Sequence, residues 1–236
     1  MALKKKEIEA LKNRWDEDYV AQLNKVLWKK DWRNRQDANV NFHNSPFGEI
    51  SSKRDFRGLD LKCFSHQNLQ DIDLSCSTMT SITRSILKNV TLDYTNIKSG
   101  ISSILIDCSF EYANLHKTVL NNDGEPIQNT SFYKANLNKL LGSDLVFINC
   151  NFNSTNLKRV DLRYCRFENC TFIGTQFFMS TLIHCTFIGE APQIEQLDSS
   201  NIENMVINGE PFDISKVNRN ETKEFIELTK DIIYGV

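Results

Sequence analysis

The chain has little apolar material and no long apolar run. Of its 236 residues 40% are hydrophobic, and no stretch approaches the ~18 consecutive apolar residues of a membrane-spanning helix. The first residues, Met1-Ala2-Leu3-Lys4-Lys5-Lys6-Glu7, pass straight into charge without the apolar region of a secretory leader, so the expected compartment is the cytoplasm. Neither sign of charge dominates, with 28 Lys and Arg against 30 Asp and Glu. The 7 cysteines, Cys63, Cys76, Cys108, Cys150, Cys165, Cys170 and Cys185, include no C-x-x-C pair, which argues against a disulfide framework and against structural zinc. The 4 histidines, His43, His66, His116 and His184, are scattered, and the short motifs of metalloproteases, nucleotide-binding loops and hydrolase nucleophiles are missing. The expectation is a protein that is not an enzyme and that holds no cofactor and no metal.

What the chain does have is a period of five. From residue 147 onward the series reads Phe147, Phe152, Leu157, Leu162, Phe167, Phe172, Phe177, Leu182, Phe187. The same phase reaches back to Phe132 and Leu137 with a fault at Gly142. Earlier runs return in shifted phases, such as Leu105, Phe110, Leu115, Leu120 and Ile82, Leu87, Leu92, Ile97, and the shifts read as short insertions. Helices repeat every ~3.6 residues and strands every ~2, so neither keeps such side chains on one side. A coil that turns a square corner every five residues does, with one large side chain per edge pointing inward. Two residues before each centre stands a small or β-branched residue, and five of the cysteines, Cys108, Cys150, Cys165, Cys170 and Cys185, fall in that slot. The position directly before the centre is mostly Asn or Asp, types that hydrogen-bond locally at turns.

The resulting unit, as in Ala113-Asn114-Leu115-His116-Lys117 and Ala135-Asn136-Leu137-Asn138-Lys139, resembles the pentapeptide-repeat family over residues 55–189. The resemblance implies an all-β solenoid, a right-handed quadrilateral β-helix, in which ~130 residues make about six or seven coils.

Two stretches break the register most. Lys98 to Ser103 is one; the other, Asn121, Asn122, Asp123, Gly124 and Glu125 before Pro126, carries turn chemistry and is the candidate loop interface. Residues 3–32 read as an amphipathic helix with the stripe Leu11, Trp15, Tyr19, Leu23, Leu27, flanked by Ile8 and Val26. With the polar stretch that follows, residues 1–54 form an N-terminal cap, because a solenoid end exposes unpaired backbone and an open core. Residues 190–236 are expected to form a strand over Asn201 to Ile207, a turn at Asn208-Gly209 and a helix with the apolar face Phe225, Leu228, Ile232. Residues just after the centres should face solvent, yet they include Ile173, Phe178, Ile183 and Ile188. Together with Phe225 and Ile232 these make the candidate patch for a homodimer through the C-terminal end.

The resemblance also implies a function in binding. Family members of the quinolone-resistance type dimerise through their C-terminal ends and occupy the DNA site of gyrase or topoisomerase IV by DNA-like shape. The expected partner is therefore another protein, such as a type II topoisomerase, with no direct nucleic-acid or membrane binding. The alternative is a general protein-interaction scaffold, or an immunity or effector-type protein. Charge weighs on that choice: residues 1–54 carry 12 basic and 8 acidic groups, residues 55–189 carry 12 and 12, and residues 190–236 carry 4 and 10. DNA mimicry requires negative charge placed like phosphates, and a neutral rod supplies it only if its acids gather on one face.

Overall fold

The computed structural model describes residues 3–27 and 44–217. Two helices, α1 (Lys5–Lys12) and α2 (Glu17–Leu27), precede a β-solenoid of about eight turns. Each coil has four edges, and equivalent edges of successive coils stack into four faces. We number the faces by the centres of one coil: first (Phe147), second (Phe152), third (Leu157) and fourth (Leu162). On the first face Ile127, Phe147, Phe167, Phe187 and Ile207 are parallel partners in register, and on the fourth so are Gly142, Leu162, Leu182 and Ile202. On the second and third faces the lower coils pair through single bridges such as Asn114 to Asn136 to Asn156. Every inward side chain therefore lies on its own equivalent one coil away. The rings of Phe132, Phe152 and Phe172 stack at 5.1 and 5.6 Å, and those of Phe147, Phe167 and Phe187 at 5.0 and 4.8 Å, all nearly parallel. These distances are close to the ~4.8 Å between paired strands, as stacking in register requires.

The phase shifts in the sequence have a different origin from insertions alone. Early coils close in 18 residues, as the Asn114–Asn96 and Asn89–Asp71 side-chain bonds show; one coil takes 22, and the later ones take 20. In the short coils the fourth-face centres Phe64, Ile82 and Ile101 follow the third-face centres Leu61, Met79 and Ile97 after only three or four residues, and all six are buried. Lys98 to Ser103 thus breaks the five-residue spacing without leaving the sheet. It belongs to the strand Asn96–Ile106, with Ile101 inside. The two surplus residues of the long coil are taken up around Asn121 to Pro126, where a turn does leave the face.

Nor does the solenoid stop at residue 189. Buried Pro192 stands at a second-face centre, and Leu197, Ile202 and Ile207 continue the third, fourth and first columns, which raises the coil number above six or seven. The strand expected over Asn201 to Ile207 is two, Asn201–Glu203 and Val206–Ile207, separated by a corner. The fault at Gly142 is compensated locally. A Cβ there would lie 2.5 Å from Leu145 Cδ1, so a fully buried Leu145, in a slot that Cys165 and Cys185 fill in the following coils, takes up the room that the glycine leaves.

Both ends of the rod are covered. The helix expected over residues 3–32 is interrupted, because Asp16 caps a new helix by accepting from the Tyr19 backbone N–H at 2.9 Å. Trp15 lies in the break. Its indole N–H donates to the Arg57 carbonyl at 2.8 Å, and its ring stacks on Phe56, a centre of the first coil. Leu23 and Leu27 of α2 join the buried core. Arg14 clamps Asp55 with two hydrogen bonds, 2.9 and 2.5 Å, and Arg57 binds the same carboxylate. At the other end the chain turns back through Glu210–Pro211, and Phe212, Ile214 and buried Val217 pack on the last coil. The C-terminal helix expected over 218–233, with Phe225 and Ile232, and residues 28–32 of the first helix lie outside the described residues.

Candidate interaction surface

The repeat unit places its side chains by position. The slot two residues before a centre points inward, and in the later coils the Thr, Ser and Cys residues that fill it carry a donor that reaches the preceding coil. Thr155 Oγ1 donates to the Phe132 carbonyl, Thr175 Oγ1 to Phe152 and Ser180 Oγ to Leu157, each at 2.7 Å. Cys150, Cys170 and Cys185 thiols make the same bond to Ile127, Phe147 and Leu162 at 3.4, 3.6 and 3.4 Å. The cysteines thus replace alanine with a small side chain that also satisfies a second lone pair of a buried carbonyl. Burial pushes the Cys108 thiol up to about 11 and raises that of Cys150, which keeps them protonated and unreactive.

The position two after most centres turns the corner with positive φ. Lys117, Lys139 and Arg159, at φ 61°, 62° and 57°, stand in line at the corner between the third and fourth faces. Tyr94, Tyr112 and Lys134 stand in line between the second and third.

The faces differ sharply in chemistry. The third carries an amide ladder at the position before the centre. Asn156 Nδ2 donates to Asn136 Oδ1 at 3.1 Å, Asn136 Nδ2 to Asn114 Oδ1 at 3.0 Å, and Asn114 Nδ2 to Asn96 Oδ1 at 3.0 Å. Asn114 and Asn136 Oδ1 each accept a second bond, from the backbone N–H of His116 (3.3 Å) and Asn138 (3.2 Å). Beside the ladder runs a shallow groove of about 320 Å³ lined by Asn114, His116, Asn136, Asn138 and Asn156. Six of the twelve cations of residues 55–189 lie on this face and its far corner: Lys62, Lys98, Lys117, Lys139, Lys158 and Arg159. Asp60 is its one acidic residue within that span.

The second face holds acids in its upper half, each engaged from within. Asp55 has its two arginines. Burial would raise its pKa, but their hydrogen bonds outweigh that and hold the carboxyl well below the usual range. Asp73 accepts from the Ser75 N–H and hydroxyl. Asp93 accepts from Ser109 Oγ and the Glu111 N–H, and burial pushes its pKa up to about 6. Tyr94 and Tyr112 stack beside them at 4.8 Å. On the fourth face the sequence-predicted loop is a turn in which Asn121 Oδ1 accepts from the Asp123 N–H at 2.7 Å and Asn122 is buried. With exposed Val119 and Leu141 and with Arg163, which is ion-paired to Asp161, the loop borders a groove of about 550 Å³.

The four outward apolar residues predicted as one patch are not brought together. Ile173, Phe178, Ile183 and Ile188 follow consecutive centres, so they lie on the second, third, fourth and first faces around one coil. Ile173 is 73% exposed and the other three are half-buried. His184 stacks on Tyr164 at 4.8 Å on the surface, apart from His116 on the third face. Among the described residues no three His, Cys, Asp or Glu side chains are grouped to hold a metal ion, and no helix is long and apolar enough to cross a membrane. The basic third face was not anticipated; its signal is a Lys or Arg recurring at the positions after the third-face centres, legible only once the coil lengths are known.

The sequence pattern described as pentapeptide repeats matches residues 142–187 in eight copies. No curated protein matches the chain. Among solved structures the chain is similar to a trypsin-treated form of QnrB1, a plasmid-mediated fluoroquinolone resistance protein, with 16% identity, a TM-score of 0.25 and coverage of 76% of this chain and 91% of that one. It is also similar to HetL, a pentapeptide repeat protein involved in heterocyst differentiation regulation from a Nostoc cyanobacterium, with 11% identity, a TM-score of 0.20 and coverage of 66% and 86%.

Proposed function

Because the chain is a pentapeptide-repeat protein, we propose that it is a non-enzymatic rod that binds another protein through the fixed columns of its faces. The observation that carries this reading is the register. Backbone pairing from coil to coil holds outward side chains such as the Asn96 to Asn156 ladder in line before any partner arrives. A surface so ordered gives up little conformational freedom on binding.

A type II DNA topoisomerase, gyrase or topoisomerase IV, is the specific partner we propose, engaged by DNA-like shape and thereby modulated or protected from quinolones. Supercoiling and quinolone-stabilised cleavage by purified gyrase test it directly. Inhibition of supercoiling, or rescue from cleavage, at micromolar protein is the expected result; neither effect at that concentration overturns the topoisomerase reading. A second reading, a scaffold for an unrelated protein, is favoured by the state of the acids. Asp55, Asp73 and Asp93 are all held by neighbouring groups of the rod rather than offered as a phosphate-like row.

A further inference from the structure

We propose that the third face between Asn96 and Met179 is a docking surface for a short acidic stretch of a partner protein. The inference rests on the binding-rod reading and names the chemistry that one face selects. Four features of that face converge. Lys98, Lys117, Lys139, Lys158 and Arg159 lie on it, and none of them forms an ion pair among the described residues. Within these five coils the face has no acidic side chain, although residues 55–189 as a whole are charge-balanced. In the ladder between them the Asn114 and Asn136 carbonyl oxygens are each occupied twice, so what these amides still offer outward is N–H. The face is therefore built of donors and cations, the complement of carboxylates. Finally, its upper end is closed by the helical cap, where Lys12 Nζ reaches Thr78 Oγ1 at 3.3 Å, and its lower end meets Asp198 on the next coil.

Those ends choose the occupant. Five coils at ~4.8 Å rise give an open length of roughly 19 Å, which about six residues of extended peptide span. Duplex nucleic acid would lay about eleven charges along the same length and carry more beyond it. Its backbone would run onto Asp198 and the last coil, in a stretch, residues 190–217, that carries 6 acidic groups and a single basic one. A short acidic peptide ends before it meets them.

The test is fluorescence anisotropy of the full chain with a labelled ten-residue oligoglutamate peptide and, in parallel, a labelled 20-base-pair DNA duplex. We expect the peptide to bind, to weaken as salt is raised, and to lose at least tenfold in affinity with the triple change Lys117→Glu, Lys139→Glu, Arg159→Glu. Lys88→Glu with Arg84→Glu, away from this face, should change it less than twofold. The triple change to Gln at the same three positions should lose affinity to a smaller degree, and it serves if charge reversal impairs folding. No peptide binding, equal losses from both sets of substitutions, or duplex binding as tight as the peptide's overturns the proposal. Failure here with activity on gyrase would leave the binding rod standing and remove only this face; binding here without activity on gyrase would keep both the rod and this face and remove only the topoisomerase partner.

Discussion

Thr155 illustrates how much of this molecule is decided inside its small slot. Its hydroxyl is fully buried and donates to the Phe132 carbonyl at 2.7 Å, so Thr155→Val keeps the shape and removes the bond. The expected cost is about 1 kcal/mol, whereas Thr155→Cys, which restores a donor used elsewhere in the same slot, should cost less; chemical denaturation of the two variants checks the order. Asp93 gives a pH-dependent counterpart. Burial raises its pKa to about 6, with Glu111 and Asp73 nearby adding to the effect, so the folded state disfavours its charge. Stability from this group is therefore full below the ordinary carboxylate range and falls as pH rises from about 4 to about 6. Asp93→Asn should gain on the parent as pH rises, its advantage at pH 7.5 exceeding that at pH 4.5 by up to about 2 kcal/mol in urea denaturation; an equal gap at both values would refute this account. Sequence spacing already identified the slot as small. That it also donates could not be read, because the accepting carbonyl lies 23 residues back and becomes a neighbour only when the coil closes.

The helical cap is the element whose fit is tightest. Gly58 has φ 83°, and a Cβ placed on it would lie 2.4 Å from the Leu11 carbonyl oxygen and 2.8 Å from the Lys12 nitrogen, both backbone. Gly58→Ala should therefore lift α1 from the first coil and cost more than about 2 kcal/mol. Gly124→Ala has the same handicap of φ, 86°, but nothing within 4 Å, so its loss should stay near about 1 kcal/mol. Thermal melting of the pair separates collision from backbone strain. The amphipathic stripe from Leu11 to Leu27 was legible, since apolar spacing alone reveals it. The break at Trp15 was not, because it depends on Asp16 capping α2 and on an indole partner 42 residues away. Similar reasoning covers the edges: period five found the centres of the 20-residue coils, but Phe64 and Ile101 belong to coils of 18, and Pro192 disguised the continuation to Ile207.

Along the rod, contacts join each coil to its neighbours, so what the ends do matters to everything between them. The neutral total of the repeat segment concealed a basic third face, because its cations, apart from the neighbours Lys158 and Arg159, are remote in sequence and come to one face only through the coiling. The apolar residues five apart looked like one patch and are instead spread around a single coil. The latch of Arg14, Asp55 and Arg57 bears on the ends directly. Its carboxylate is held below its ordinary range, so the stability it contributes is present above about pH 4 and is lost as pH falls further. Once the cap lifts, the first coil bares a row of unpaired backbone donors and acceptors, a template for another chain. Phe212 to Val217 still cover the last coil, which makes the opening one-sided. Two such chains are then expected to pair first coil to first coil about a twofold axis, in a pair that closes on itself. Acid exposure should thus double the mass seen by light scattering and stop there, because a head-to-head pair leaves no free end from which a fibre could grow.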